Sequence, residues 1–181
     1  MCNEYRFKQS LDRIADEFSQ LRLPIHWEGG APNIEPRDSI RPTDPAPILL
    51  GSPEGAELRQ LRWGFASPRG PVINFRSDGR RFPSGRCLIP ADGFYEFTGE
   101  KAPKSKWLFT AADTDFFCIA GLVREDRFTM LTMEPGPDIA PYHNRQIVIL
   151  PRPQWADWLG PSSDAVIPAL PAGSLKVEQI R

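Results

Sequence analysis

Leu11, Ile14, Ala15, Phe18 and Leu21 recur at the three- and four-residue spacing of a helix with one apolar face. Ser10 stands where an N-cap would, and Pro24 lies just beyond the end, so residues 10–22 are expected to be helical. Residues 24–47 are rich in Pro and Gly and read as a long irregular segment. Short strand-like runs follow, at 48–50, 58–65, 72–75, 86–90, 93–97, 106–110, 116–122, 128–132 and 146–150. Gly, Pro and Asp bound them, as they bound strands. A second, short helix is expected after Pro153, with Trp155 and Trp158 packing into the core. No internal repeat appears and no linker divides the chain. The pattern predicts one α+β domain over residues 1–181, β-rich, with helices at its periphery.

Composition narrows the picture. The 181 residues are enough for one domain with a sizeable core and short for two. Twenty prolines are spread along the chain, which argues for many short elements joined by turns. No run approaches the roughly 20 apolar residues that span a membrane, and the N-terminus has no apolar stretch to serve as a signal peptide. An intracellular, cytoplasmic protein with no membrane partner is expected. Cys2, Cys87 and Cys118 form neither a disulfide framework nor a paired metal motif, and only His26 and His143 accompany them. No metal site and no cofactor are expected, and Cys87 and Cys118, in apolar runs, are expected to be inert core residues. A net charge of −1 does not advertise nucleic-acid binding by the whole molecule, but leaves room for a local basic groove.

Cys2 changes the chemical picture. An initiator Met is readily removed before a small residue, and the product would carry a thiol and an α-amine on one carbon framework. The amine titrates near about 8, so much of it is unprotonated at neutral pH, whereas a lysine at about 10.4 is not. The thiol is the best side-chain nucleophile available. An aldehyde meeting this pair can form a Schiff base that the thiol closes to a five-membered thiazolidine.

Four separated segments resemble the SOS-response-associated peptidase (SRAP) family of abasic-site processing proteins. They are Met1-Cys2 with Tyr5 close behind; Trp63-Gly64-Phe65 followed by Asn74-Phe75-Arg76-Ser77; the stretch from Arg86 through Cys87, Pro90, Asp92 and Gly93 to Phe94-Tyr95-Glu96-Phe97; and His143-Asn144-Arg145 with Gln146 to Leu150. Asn33 and Pro36 resemble a weaker Asn-x-x-Pro motif. The third segment is the most specific, and the resemblance spans almost the whole chain in the right order.

The resemblance implies a barrel-like core of mixed and antiparallel strands, and a covalent thiazolidine crosslink between Cys2 and an abasic site in single-stranded DNA after self-cleavage of Met1. It implies that Glu96 and His143 transfer protons, and that Asn74 holds the sugar and the Cys2 amine. Glu96, between Tyr95 and Phe97, is expected to have a raised pKa. Arg76 and Arg145 match phosphate contacts, which a guanidinium fork suits. Arg86, with Arg80 and Arg81, adds local positive charge, and Asn33 and Pro36 complete the expected DNA contacts. A monomer is expected.

Departures from the family pattern shape the expectation. Asn3 and Glu4 follow Cys2 where Gly and Arg are usual, and a carboxylate there is expected to repel phosphate. The stretch from Phe65 to Ile73 lacks the tryptophan that serves relatives as a wedge against bases. The segment from Ser77 to Arg86 looks shortened by a helix, and Gln146 and Ile147 stand where Met and Pro are usual. Two other readings stay open: an N-terminal-nucleophile peptidase or amidohydrolase on another substrate, and a non-catalytic single-stranded DNA binder.

Overall fold

A computed structural model describes residues 1–161, 167 and 169–181. The predicted first helix forms as α1 (Leu11–Gln20), with Ser10 Oγ accepting from the Arg13 N–H at 3.1 Å. Its apolar face buries Ile14 and Phe18, and Phe18 stacks on Trp155 with ring centroids 5.1 Å apart. The second helix is α2 (Trp155–Leu159), and Trp155 and Trp158 are both buried, as expected.

The strands are β1 (Tyr5–Phe7), β2 (Ile25–His26), β3 (Arg37–Ile40), β4 (Pro45–Ser52), β5 (Gly55–Trp63), β6 (Asn74–Arg76) and β7 (Arg86–Ala91). They continue with β8 (Gly93–Thr98), β9 (Ser105–Ala111), β10 (Phe117–Arg124), β11 (Arg127–Met133), β12 (Gln146–Ile147), β13 (Ile149–Leu150) and β14 (Leu175–Gln179). One sheet has the order β14-β9-β8-β1-β3. The other runs β12-β11-β10-β7-β4-β5-β2, with β6 on β11 and β13 on β10. Most pairings are antiparallel, but β5 and β6 both run parallel to β11. The pairing of β5 with β11 brings the path β11-β10-β7-β4-β5 back to its start.

Residues 24–47, expected to be irregular, contain β2, β3 and the start of β4. Pro45 and Pro47 are the reason the sequence misleads. They pair with β5, while β7 meets β4 only at Leu49 and Leu50. The two prolines thus lie where β4 has one neighbour and a missing N–H costs no ladder bond. Two further strands, β1 and β14, lie outside the expected runs; β1 is only three residues long, whereas β14 does carry an alternation, Leu175-Lys176-Val177-Glu178, and both are held by main-chain pairing. No helix interrupts residues 77–85, in keeping with the shortened segment.

The core is one contiguous cluster that includes Cys87 and Cys118, both fully buried. Trp63 is a pillar of it. Its ring stacks with Phe128 and meets Tyr5 edge-on, and its Nε1–H donates to the Ile73 carbonyl at 2.9 Å. Among the described residues no helix is long and apolar enough to cross a membrane.

Candidate functional site

Asn74 reaches the N-terminus because the chain before it is fixed. Gly64 turns at φ +110°, and a Cβ there would stand 2.6 Å from Pro71 Cβ, so glycine is required for the chain to fold back. The Trp63 indole and the Thr129 hydroxyl, which donates to the Val72 carbonyl at 2.9 Å, hold residues 72–73. Parallel pairing of β6 with β11 then sets Asn74 opposite Met130. From there the Asn74 side-chain amide donates to the Cys2 carbonyl at 2.8 Å. Its Oδ1 is buried without a partner among the described residues.

Glu96 lies on β8 opposite Trp107 of β9. Strand alternation puts its sequence neighbours Tyr95 and Phe97 on the other face, where the Lys106 ammonium lies over both rings. The apolar setting of Glu96 is therefore made by residues of its own face, Phe94 and Trp107, and not by the flanking aromatics. The residue is 1% exposed. Burial raises its pKa to about 7, against the opposing pull of the Met1 ammonium 3.6 Å from Oε2. The expected direction holds. Oε1 is buried without a partner among the described residues.

His143 sits at the end of a turn in which its N–H donates to the Ile139 carbonyl at 3.0 Å. That turn is tied down by Gln146, whose side-chain oxygen accepts from the Gly136 N–H. The departure from Met at this position thus has a structural use. His143 Nε2 hydrogen-bonds the Met1 amino group. Nδ1 faces both the N–H of Arg145 at 3.0 Å and its carbonyl at 3.1 Å, so the ring can exchange tautomers while keeping a partner. Burial and the nearby ammonium lower its pKa, so the ring is a neutral base at neutral pH.

Cys2 is 1% exposed, and its thiol donates to the Glu4 carbonyl at 3.4 Å. Burial, reinforced by the Glu96 carboxylate, pushes the thiol pKa far up, so the sulfur keeps its proton. Cys2, Asn74, Glu96 and His143 are thus brought together around the first two residues of the chain.

The expected DNA contacts divide. Arg76 is exposed and makes no ion pair among the described residues. Arg145 is buried; its guanidinium donates to Asp78, to Glu134 at 2.8 Å and to the Thr132 hydroxyl at 3.3 Å. Asp78 is held below the usual carboxylate range by that hydrogen bond. Asn33 and Pro36 are exposed; Asn33 is tied to β5 through its carbonyl, which accepts from Gln60 at 3.0 Å. Arg86 is not a surface cation. It is buried, and its guanidinium donates to the main-chain carbonyls of Trp158, Phe82 and Gly160. Packing against the 158–160 turn satisfies the fork internally, so Arg86 leaves the set of DNA contacts.

Glu4 also departs from expectation. It is buried, with Oε1 accepting from Lys106 Nζ at 2.8 Å and Ser39 Oγ at 2.7 Å. Its charge is spent inside the fold and does not face an approaching phosphate. No spacing in the sequence announces the partners Lys106, Asp78 or Glu134, which lie far from the residues they serve.

Fold and site together define a two-sheet protein that gathers proton-transfer groups around its own amino terminus. The chain belongs to the SOS response associated peptidase (SRAP) family, whose sequence pattern matches residues 1–177. It is 24% identical over 188 residues to abasic site processing protein YoaM of Bacillus subtilis, covering 90% of this chain and 81% of that one. It is 26% identical over 189 residues to YobE, of the same description and organism, covering 90% and 84%. Among solved structures, a Bordetella bronchiseptica protein superimposes with a TM-score of 0.76 at 23% identity, covering 99% of this chain and all of that one. A Bacteroides thetaiotaomicron protein gives 0.75 at 15% identity, covering 99% and 92%. These two solved structures share the fold of this chain.

Proposed function

We propose that the protein captures the aldehyde of an abasic site in single-stranded DNA on the aminothiol of Cys2, once Met1 is removed, and so serves the DNA-damage response. The observation that carries this is the seat of the Met1 amine, bonded to His143 Nε2 and 3.6 Å from the Glu96 carboxylate. Removing Met1 transfers the amino terminus to Cys2 and gives the space of Met1 to the substrate. The names of the curated relatives support the same reading.

The chemistry balances within the site. The Cys2 amine attacks the aldehyde carbon, a C–N bond forms, and the carbonyl oxygen leaves as water. Glu96, protonated up to about 7, supplies the proton that the leaving oxygen needs. His143 takes the amine's first proton in the addition step and returns it to the oxygen, and Glu96 takes the second as the C=N bond forms, so nitrogen loses the two protons that water carries away. The thiol then adds across the C=N bond: sulfur bonds to carbon and its proton passes to nitrogen. Because the buried sulfur holds its proton, the imine nitrogen has to take that proton as the sulfur adds.

Arg76 supplies the free guanidinium for phosphate, and Arg145, already matched by Asp78 and Glu134, engages phosphate only by exchanging one of them. Asn33 and Pro36 border the strand on the side of β5 and β3. The ring of pairing through β4, β5, β7, β10 and β11 is the barrel-like core that supports this surface. The reading needs no metal or cofactor, a single copy of the chain, and a cytoplasmic protein that meets DNA there.

The test is incubation of mature protein with single-stranded DNA containing one abasic site, read on a denaturing gel. A heat-stable adduct with the parent and none with Cys2→Ala is expected. An undiminished adduct with Cys2→Ala overturns the proposal.

A further inference from the structure

Residue 4 of this chain is an acid where the family pattern has arginine, and it points inward. Its main-chain carbonyl accepts both the Cys2 thiol at 3.4 Å and the Tyr95 N–H at 3.0 Å. Its carboxylate accepts from Lys106 of β9 and Ser39 of β3, with Arg41 3.8 Å away. Lys106 is itself fixed, its ammonium 4.0 Å from the Tyr95 ring centroid. One side chain therefore ties the segment before β1 to two strands, β9 and β3, at a point two residues from the nucleophile.

That placement matters more after Met1 is lost. A terminal residue frays unless something ties it down. Cys2 then keeps two anchors, the Asn74 amide on its carbonyl and the Glu4 carbonyl on its thiol. The second holds the sulfur, together with the Tyr95 main chain and the core around it. The ring closes only if sulfur stands against the imine carbon, and a freely rotating Cys2 would sample that geometry rarely.

We propose that Glu4 is a positioning residue for the aminothiol, acting through its ion pair with Lys106, and that this pair replaces a phosphate contact with a brace for Cys2. The proposal rests on the aldehyde-capture reading above. Burial works against the charge of Glu4, and the hydrogen bonds from Lys106 and Ser39 outweigh it, so the carboxylate is held ionised. The brace is therefore intact across the neutral range.

The experiment uses mature protein, with Glu4→Gln, Lys106→Met and the double variant, and two substrates: abasic single-stranded DNA and glycolaldehyde, a small aldehyde without phosphate. Expected are capture rates about tenfold lower in each single variant, on both substrates, with half-saturating DNA concentration unchanged. The double variant should be no slower than the slower single one, since both remove one interaction. Alkylation of Cys2 by iodoacetamide should speed up several-fold in each. If the parent captures neither aldehyde, the function reading fails. If the parent captures both and Glu4→Gln and Lys106→Met match it, the positioning role is overturned, as it is by losses that simply multiply in the double variant. Should Glu4→Gln fail to fold by circular dichroism, Lys106→Met alone decides by the same rates.

Discussion

On the proposed reading, capture depends on protonation states that single residues set. Glu96 keeps its proton to about 7 when folded, against 4.5 for an ordinary glutamate. Between those values the folded state binds more protons than the unfolded one, so stability falls as pH rises through that window. The cost above it is on the order of 3 kcal/mol. Glu96→Gln in the Met1-bearing chain should therefore raise the Tm at pH 8 and change it little at pH 4; calorimetry at both pH values checks this, and an equal shift at both contradicts it. The same substitution should slow adduct formation more than it weakens DNA binding, since Gln keeps the shape and loses the proton. Single-turnover crosslinking beside a binding titration separates the two. At this scale the motifs hold the four residues that the fold gathers at the amino terminus, Cys2, Asn74, Glu96 and His143. The sequence was a poor guide to Glu4 and Arg86. A charged side chain is placed by partners that folding brings up, and Lys106 is 102 residues from Glu4.

Elements carry those residues into register. α1 was legible by its helical apolar spacing and β10 by its continuous apolar run. β2, β3 and β14 were not, because edge strands bury little and are chosen by the backbone groups of a neighbour rather than by their own side chains. The bend at Gly64 is the element-level feature with the largest consequence for the site, since β6 and Asn74 follow from it. Gly64→Ala combines a positive φ with a close approach to Pro71. It should cost about 1–3 kcal/mol, measured by urea unfolding, and should also lower the rate of capture through misplacement of Asn74. Unchanged stability would show that the turn tolerates a side chain and that Asn74 is set by other contacts.

The whole molecule is nearly neutral, with a net charge of −1, so DNA affinity must come from a local arrangement of cations. Arg76 makes no ion pair among the described residues, and Arg145 is offset by two acids. Arg76→Ala should weaken single-stranded DNA binding and reduce the slope of log affinity against log salt by about 0.7. Asp78→Asn should strengthen binding by freeing part of the Arg145 fork. Fluorescence anisotropy over a salt series reads both, and unchanged slopes would move the phosphate path elsewhere. The missing tryptophan between Phe65 and Ile73 makes this electrostatic share more important here, because base stacking of about 1–3 kcal/mol per base is not available from that stretch. The central claim is still the identity of the bond formed. Intact-mass analysis with peptide mapping, after incubation with abasic single-stranded DNA and nuclease trimming, tests it most directly. The account predicts an adduct confined to an N-terminal peptide that begins at Cys2, with aldehyde added and one water lost. An adduct on a lysine, or on a chain that still begins with Met1, would contradict it.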